Sequence, residues 1–195
     1  MPAPLAAPLD LVMPRNYSGG YSLFLYDRFV EDVKAVSPAG AALAVRRAEN
    51  GPRWTLGKGG ESVGRIAYVV DVSRMEREIW KGVAASKVRP RYAGFLGYSV
   101  FAYVDGLERR PASLAVRAPG CWPILTTLAP SVPAPEGEAG ARAPDYDTLA
   151  DSQILMGPDM KLARLPGTIP LVFAVVARAR ERLNVPLSTC SWLNP

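Results

Sequence analysis

The sequence predicts a mainly β fold, a β-sandwich or single jelly roll with one or two short helices and long proline-rich loops. Two observations carry that expectation. Proline and glycine number 19 and 17 of 195 residues, a load that suits short strands joined by turns better than a helical bundle. Strand chemistry also recurs at short intervals, most plainly in residues 93–105 (AGFLGYSVFAYVD). There Phe95, Ser99, Phe101 and Tyr103 alternate with Leu96, Tyr98, Val100 and Val104, so both faces read as apolar and the stretch as a central covered strand. Gly94 and Gly97 imply a bend or a close backbone approach, and Asp105-Gly106 a turn.

Residues 1–16 read as an extended arm, because prolines at 2, 4, 8 and 14 bar a regular helix and favour polyproline-like backbone. Residues 17–195 read as one β-rich domain, long enough to bury a core. Within it, residues 21–26 (YSLFLY) open the core as a strand. Residues 41–48 and 53–56 form a hairpin around Asn50-Gly51, a strong turn signal between strand-like runs. Residues 57–60 (GKGG) make a loop tip, and residues 65–72 (RIAYVVDV) another strand.

Residues 73–87 carry the amphipathic helix pattern. Ser73 and Glu76 make a capping box, Met75, Ile79 and Val83 share a face, and Pro90 bars continuation. Residues 113–117 and 124–128 read as short strands. Residues 129–144 have no core periodicity and read as an exposed loop. Asp147 is placed to cap a helix over 148–156, stopped by Gly157-Pro158. Residues 171–183 (LVFAVVARARERL) open with β-rich chemistry and read as a long strand with a basic outer end.

Charge is uneven. The net charge is +5, and residues 44–117 hold 14 Lys/Arg against 7 Asp/Glu. Arg46, Arg47, Arg89, Arg91, Arg109 and Arg110, interleaved with Trp54 and Tyr92, make a candidate basic face for nucleic acid or for a protein interface. Cys121 and Cys190 are too few for a disulfide scaffold. The opening residues lack the basic segment of a secretory signal, and no apolar run approaches the roughly 18 residues of a membrane helix.

The absence of histidine removes Ser-His-Asp and Cys-His catalysis and histidine metal ligation. Two cysteines exclude the common structural zinc sites. Asp145, Asp147 and Asp151 form the one acidic cluster in a loop setting, but their spacing matches no calcium loop and suits helix capping. The GKGG stretch lacks the order of a phosphate loop and precedes a strand.

No catalytic, cofactor or metal site emerges, and an enzyme is not expected. The expectation is a structural or assembly protein, such as a virion capsid, decoration or tail component, forming a homo-oligomer or larger assembly. Its location would be the virion, or otherwise the cytoplasm. The candidate interface residues are Leu5, Leu9 and Leu11 of the arm, Tyr17, and Trp192 and Leu193 near the C-terminus. The alternative is a nucleic-acid-binding β-barrel module using residues 44–117.

Overall fold

The computed structural model describes residues 4–16, 20, 22–79, 84–120, 122–130, 138–168 and 171–176. The chain begins with β1 (Leu5–Ala6) and β2 (Leu9–Val12), then a 3-10 turn (Tyr26–Phe29), β3 (Val30–Val36), β4 (Ala42–Leu43), β5 (Val45–Arg47) and β6 (Arg53–Leu56). It continues with β7 (Ser62–Val63), β8 (Arg65–Val70), helix α1 (Val72–Glu78), β9 (Lys87–Arg89), β10 (Tyr92–Leu96), helix α2 (Gly97–Val100) and β11 (Tyr103–Val104). The last part holds β12 (Ala112–Arg117), β13 (Ile124–Thr126), β14 (Ala129–Pro130), β15 (Glu138–Ala143) and helix α3 (Tyr146–Ala150). The final strands are β16 (Gln153–Met156), β17 (Met160–Leu165) and β18 (Leu171–Val176). The fold is mainly β and sandwich-like.

The first half is built from a sheet of order β11-β2-β6-β5 and a sheet of order β4-β3-β8. Strict alternation explains how they meet. In β6, Trp54 and Leu56 are buried while Arg53 and Thr55 are less so, and in β8 Ile66, Tyr68 and Val70 take the inner positions. Leu11, Met13, Tyr26, Phe29, Trp54, Leu56, Met75 and Ile79 then share one core. The expected hairpin is present, with Arg47 paired to Trp54 across β5 and β6 and Asn50 in the left-handed region at φ 52°.

The arm is a strand of this sheet. β2 lies between β6 and β11, with Leu11 opposite Trp54 and Val12 opposite Tyr103. Leu11 and Val12 are 3% and 4% exposed, so the arm's central leucine belongs to the chain's own core and does not face a neighbour. The proline-broken arm folds because its non-proline residues supply both ladder hydrogen bonds and core side chains.

Residues 22–25 are irregular and Tyr26–Phe29 form the 3-10 turn, where a strand was expected. Tyr26 is fully buried, and its hydroxyl donates to the Ala84 carbonyl at 2.8 Å. Tyr26 plugs the core and Phe24 packs against it, whereas Leu23 is exposed, and among the described residues no strand pairs with this stretch. α1 is shorter than the expected helix. Asp71, not Ser73, caps it by accepting from the Arg74 amide at 2.9 Å, and Glu76 instead pairs with Arg89.

The second half packs a sheet of order β13-β16-β10-β9 against one of order β12-β15-β14. Two expectations fail here. β15 lies within the stretch read as an exposed loop, yet Ala141 and Ala143 are 0% and 1% exposed. Alanine fits a tight layer without carrying any strand signature. Asp145, not Asp147, caps α3 by accepting from the Thr148 amide at 2.8 Å. Residues expected to continue that helix become β16, an inner strand between β13 and β10.

The expected central strand is divided. β10 ends at Leu96, α2 makes one turn, and β11 resumes in the other half of the molecule. Gly97 is the cause of the break. A Cβ there would collide with the Leu149 and Ala150 carbonyl oxygens, so only glycine lets α2 meet α3 this closely. The buried Ser86 and Ser99 stabilise the turn. The Leu96 amide donates to Ser86 Oγ, Ser99 Oγ donates to the Leu96 carbonyl, and the two hydroxyls are 2.6 Å apart.

Tyrosines hold the crossing that follows. The Tyr68 hydroxyl donates to the Val100 carbonyl at 2.9 Å and accepts from the Ala102 amide at 3.0 Å. The Tyr146 hydroxyl donates to the Phe101 carbonyl at 2.7 Å. Side chains thus satisfy backbone groups that a continuous strand would have paired in its ladder.

Candidate functional site

Asp27 is the most enclosed charge among the described residues, at 1% exposure. Arg15 meets it with Nε on Oδ1 at 2.7 Å and Nη2 on Oδ2 at 2.8 Å. Arg47 adds a bond to Oδ2 and one to the Asp27 carbonyl, both at 2.9 Å, while its guanidinium stacks 4.8 Å from the Trp54 ring centroid. Burial pushes the carboxyl's pKa up, but the hydrogen bonds and charges of Arg15 and Arg47 outweigh it and hold the group below the usual carboxylate value. With its oxygens committed to two cations, Asp27 is a fastener between the start of the chain, the 3-10 turn and the β5–β6 hairpin. Sequence reading missed it because the partners lie 12 and 20 residues away.

The expected basic face is dispersed by similar pairing. Arg47 is taken by Asp27, Arg89 by Glu76, and Arg91 by Asp159, the last with Nε on Oδ2 at 2.7 Å. Arg46, Arg109 and Arg110 are exposed. Of the acidic cluster, Asp147 and Asp151 border one surface hollow and Asp145 does not. Asp145 caps α3, Asp147 and Asp151 are exposed, and no metal-capable cluster occurs among the described residues. The GKGG stretch is a turn in which the Lys58 amide donates to the Glu61 carboxylate at 2.7 Å.

Of the expected interface residues, Leu11 is core, Leu9 packs against that core, and Leu5 is half-buried in β1. Tyr17, Trp192 and Leu193 lie outside the described residues, as do Cys121, Cys190 and the outer part of the strand expected over 171–183.

An exposed apolar surface among the described residues lies on the hairpin of β17 and β18. These strands pair only with each other among the described residues. Antiparallel register sets Lys161 opposite Val175, Ala163 opposite Phe173 and Leu165 opposite Leu171, so these six positions share one face. Leu165, Leu171, Phe173 and Val175 are each at least half exposed. A two-stranded ribbon is marginal in water without a packed face, and a contiguous apolar patch of this kind marks an interaction surface. The signal in the sequence is the alternation of Leu171, Phe173 and Val175, which sets all three on one face of the strand.

Residues 1–158 match the family model described as the peptidase M61 N-terminal domain. The chain belongs to that family. Its fold is similar to an aminopeptidase N family protein from Idiomarina loihiensis, with a TM-score of 0.75 at 21% identity. The likeness covers 90% of this chain but 29% of that one. No curated protein matches the chain. Family membership overturns the expectation of a virion capsid, decoration or tail component. Of the basic-face residues, Arg47, Arg89 and Arg91 are each met by a carboxylate. No helix among the described residues is long and apolar enough to cross a membrane.

Proposed function

We propose that this chain is a non-catalytic packing domain of a peptidase-type protein, and that the apolar face of the β17–β18 hairpin seats against a peptidase domain. Exposure of Leu165, Leu171, Phe173 and Val175 is the observation that carries this reading. Position supports it too, since the family match ends at residue 158 and β17 begins at Met160. The structural likeness spans more of the chain than the family match does. These 195 residues contain no histidine, the residue most used for proton transfer in peptide hydrolysis.

The mechanism is burial. Covering a leucine or phenylalanine side chain contributes about 1.5–3 kcal/mol when complete, so four such residues would supply the apolar centre of an interface whose rim is polar. The test is a calorimetric titration of the chain into a separately prepared catalytic domain of a family peptidase. Saturable binding that is lost on substituting Phe173→Ser together with Val175→Ser supports the docking face. Binding unchanged by those substitutions, or no binding, sinks it. Peptide hydrolysis by the chain alone would overturn the non-catalytic role.

A further inference from the structure

A groove of about 660 Å³ runs between the two halves of the molecule, away from the hairpin. That volume lies within the ~300–1,000 Å³ of ordinary ligand sites. Leu5 of β1, Val63 of β7, Ile66 of β8, and Leu107 and Leu149 supply apolar walls. Tyr103 and Tyr146 also line it, in ring contact at 4.6 Å between centroids. Burial raises the pKa of the Tyr146 phenol well above the usual range, so it remains a donor fixed on the Phe101 carbonyl.

The charged side chains that line this groove are of one sign, while the carboxylates of Asp105, Glu108 and Asp147 lie near enough to act electrostatically on the lining Tyr103 and Tyr146. Arg65 and Arg110 line it, no acidic side chain does, and neither arginine has an ion-pair partner among the described residues. Elsewhere Arg53, Arg74, Arg89 and Arg91 are each met by a carboxylate. An apolar trough with two uncompensated guanidiniums is complementary to an apolar molecule that carries a carboxylate. The backbone narrows the choice of molecule. β8 pairs only with β3 and β12 only with β15, so two of the strands contributing to the groove keep an unpaired edge among the described residues. Unpaired edges offer amides and carbonyls that an extended peptide can use and an acyl chain cannot.

We propose that this groove binds an extended, apolar peptide segment through its backbone and its terminal carboxylate, with Arg65 and Arg110 as the carboxylate's partners. The site is separate from the hairpin face and does not depend on the docking proposed for it.

Fluorescence anisotropy tests this with an N-terminally labelled Leu-Val-Leu-Val peptide acid, the same peptide as its C-terminal amide, and dodecanoate as competitor. The expected result is saturable binding of the acid, with the amide about tenfold weaker because a charge-assisted hydrogen bond is lost. Arg65→Gln combined with Arg110→Gln should weaken the acid about tenfold and leave the amide unchanged. Both side chains are exposed, so the variant should keep its melting temperature. Equal affinity for acid and amide, competition by dodecanoate as strong as by unlabelled peptide, or no binding would each overturn the proposal. Phe173→Ser should have no effect here, so the fate of the hairpin reading is decided separately.

Discussion

β2 and β18 are both short apolar strands, LDLV and LVFAVV, yet their surroundings are opposite. Leu11 of β2 is 3% exposed, whereas Phe173 of β18 is 50% exposed. The difference does not come from hydrophobicity, in which β18 is the richer. β2 has a strand on each side and a second sheet packed over its inner face, while β18 has β17 alone among the described residues. An apolar strand is stabilised by the layer that covers it, and the same pattern without a cover among the described residues is the face on which the docking proposal rests.

The contrast can be broken by mutation, and Leu11→Ala should show the largest effect. Emptying that site should cost about 3 kcal/mol in a denaturant titration. A loss below about 1 kcal/mol would mean that β2 is a loosely attached arm after all. Gly97→Ala should follow at about 2–3 kcal/mol, since its methyl must displace the α3 carbonyls that Gly97 approaches. A neutral result would show that α2 and α3 are not in the contact described.

Asp27→Asn should cost about 2 kcal/mol, below the ~3–5 kcal/mol of a fully buried pair because Arg15 and Arg47 keep contact with water. The sign of its pH dependence follows from a folded pKa held below the ordinary 3.8. The stabilisation is complete above that ordinary value and is lost as pH falls through the lower folded one. Melting temperatures measured between about pH 5 and pH 2 should therefore converge for the native protein and the Asn variant. A constant gap would assign the loss to packing instead of charge.

The smallest effect should come from Phe173→Ser, which should change the domain's stability by less than about 0.5 kcal/mol because the ring covers little within the described structure. The same substitution should reduce binding of an apolar dye. A large loss of stability would place the hairpin in a core and remove the contrast with β2.

Much of the architecture was legible where local chemistry is self-sufficient. The β5–β6 hairpin follows from Asn50-Gly51, β8 from the alternation of Ile66, Tyr68 and Val70, and β12 from Leu114 and Val116. Errors fall at helix starts and where a residue answers to a distant partner. Asp71 caps in place of Ser73, and Asp145 in place of Asp147, because cap choice depends on where the preceding strand or loop delivers the chain. Residues 93–105 have the composition of one strand, but a carbonyl of α3 against Gly97 divides them.

The sequence by itself determined the β-rich class, the turns and the lack of histidine chemistry, because each depends on residue type or near-neighbour spacing. Tertiary structure alone decided which apolar strands are covered, which arginines are neutralised and which remain open on the groove. Those outcomes depend on pairings between residues far apart in the chain, such as Arg15 with Asp27, Tyr146 with Phe101 and Leu11 with Trp54. Burial and charge compensation belong to such pairs, and no single stretch of sequence contains both members.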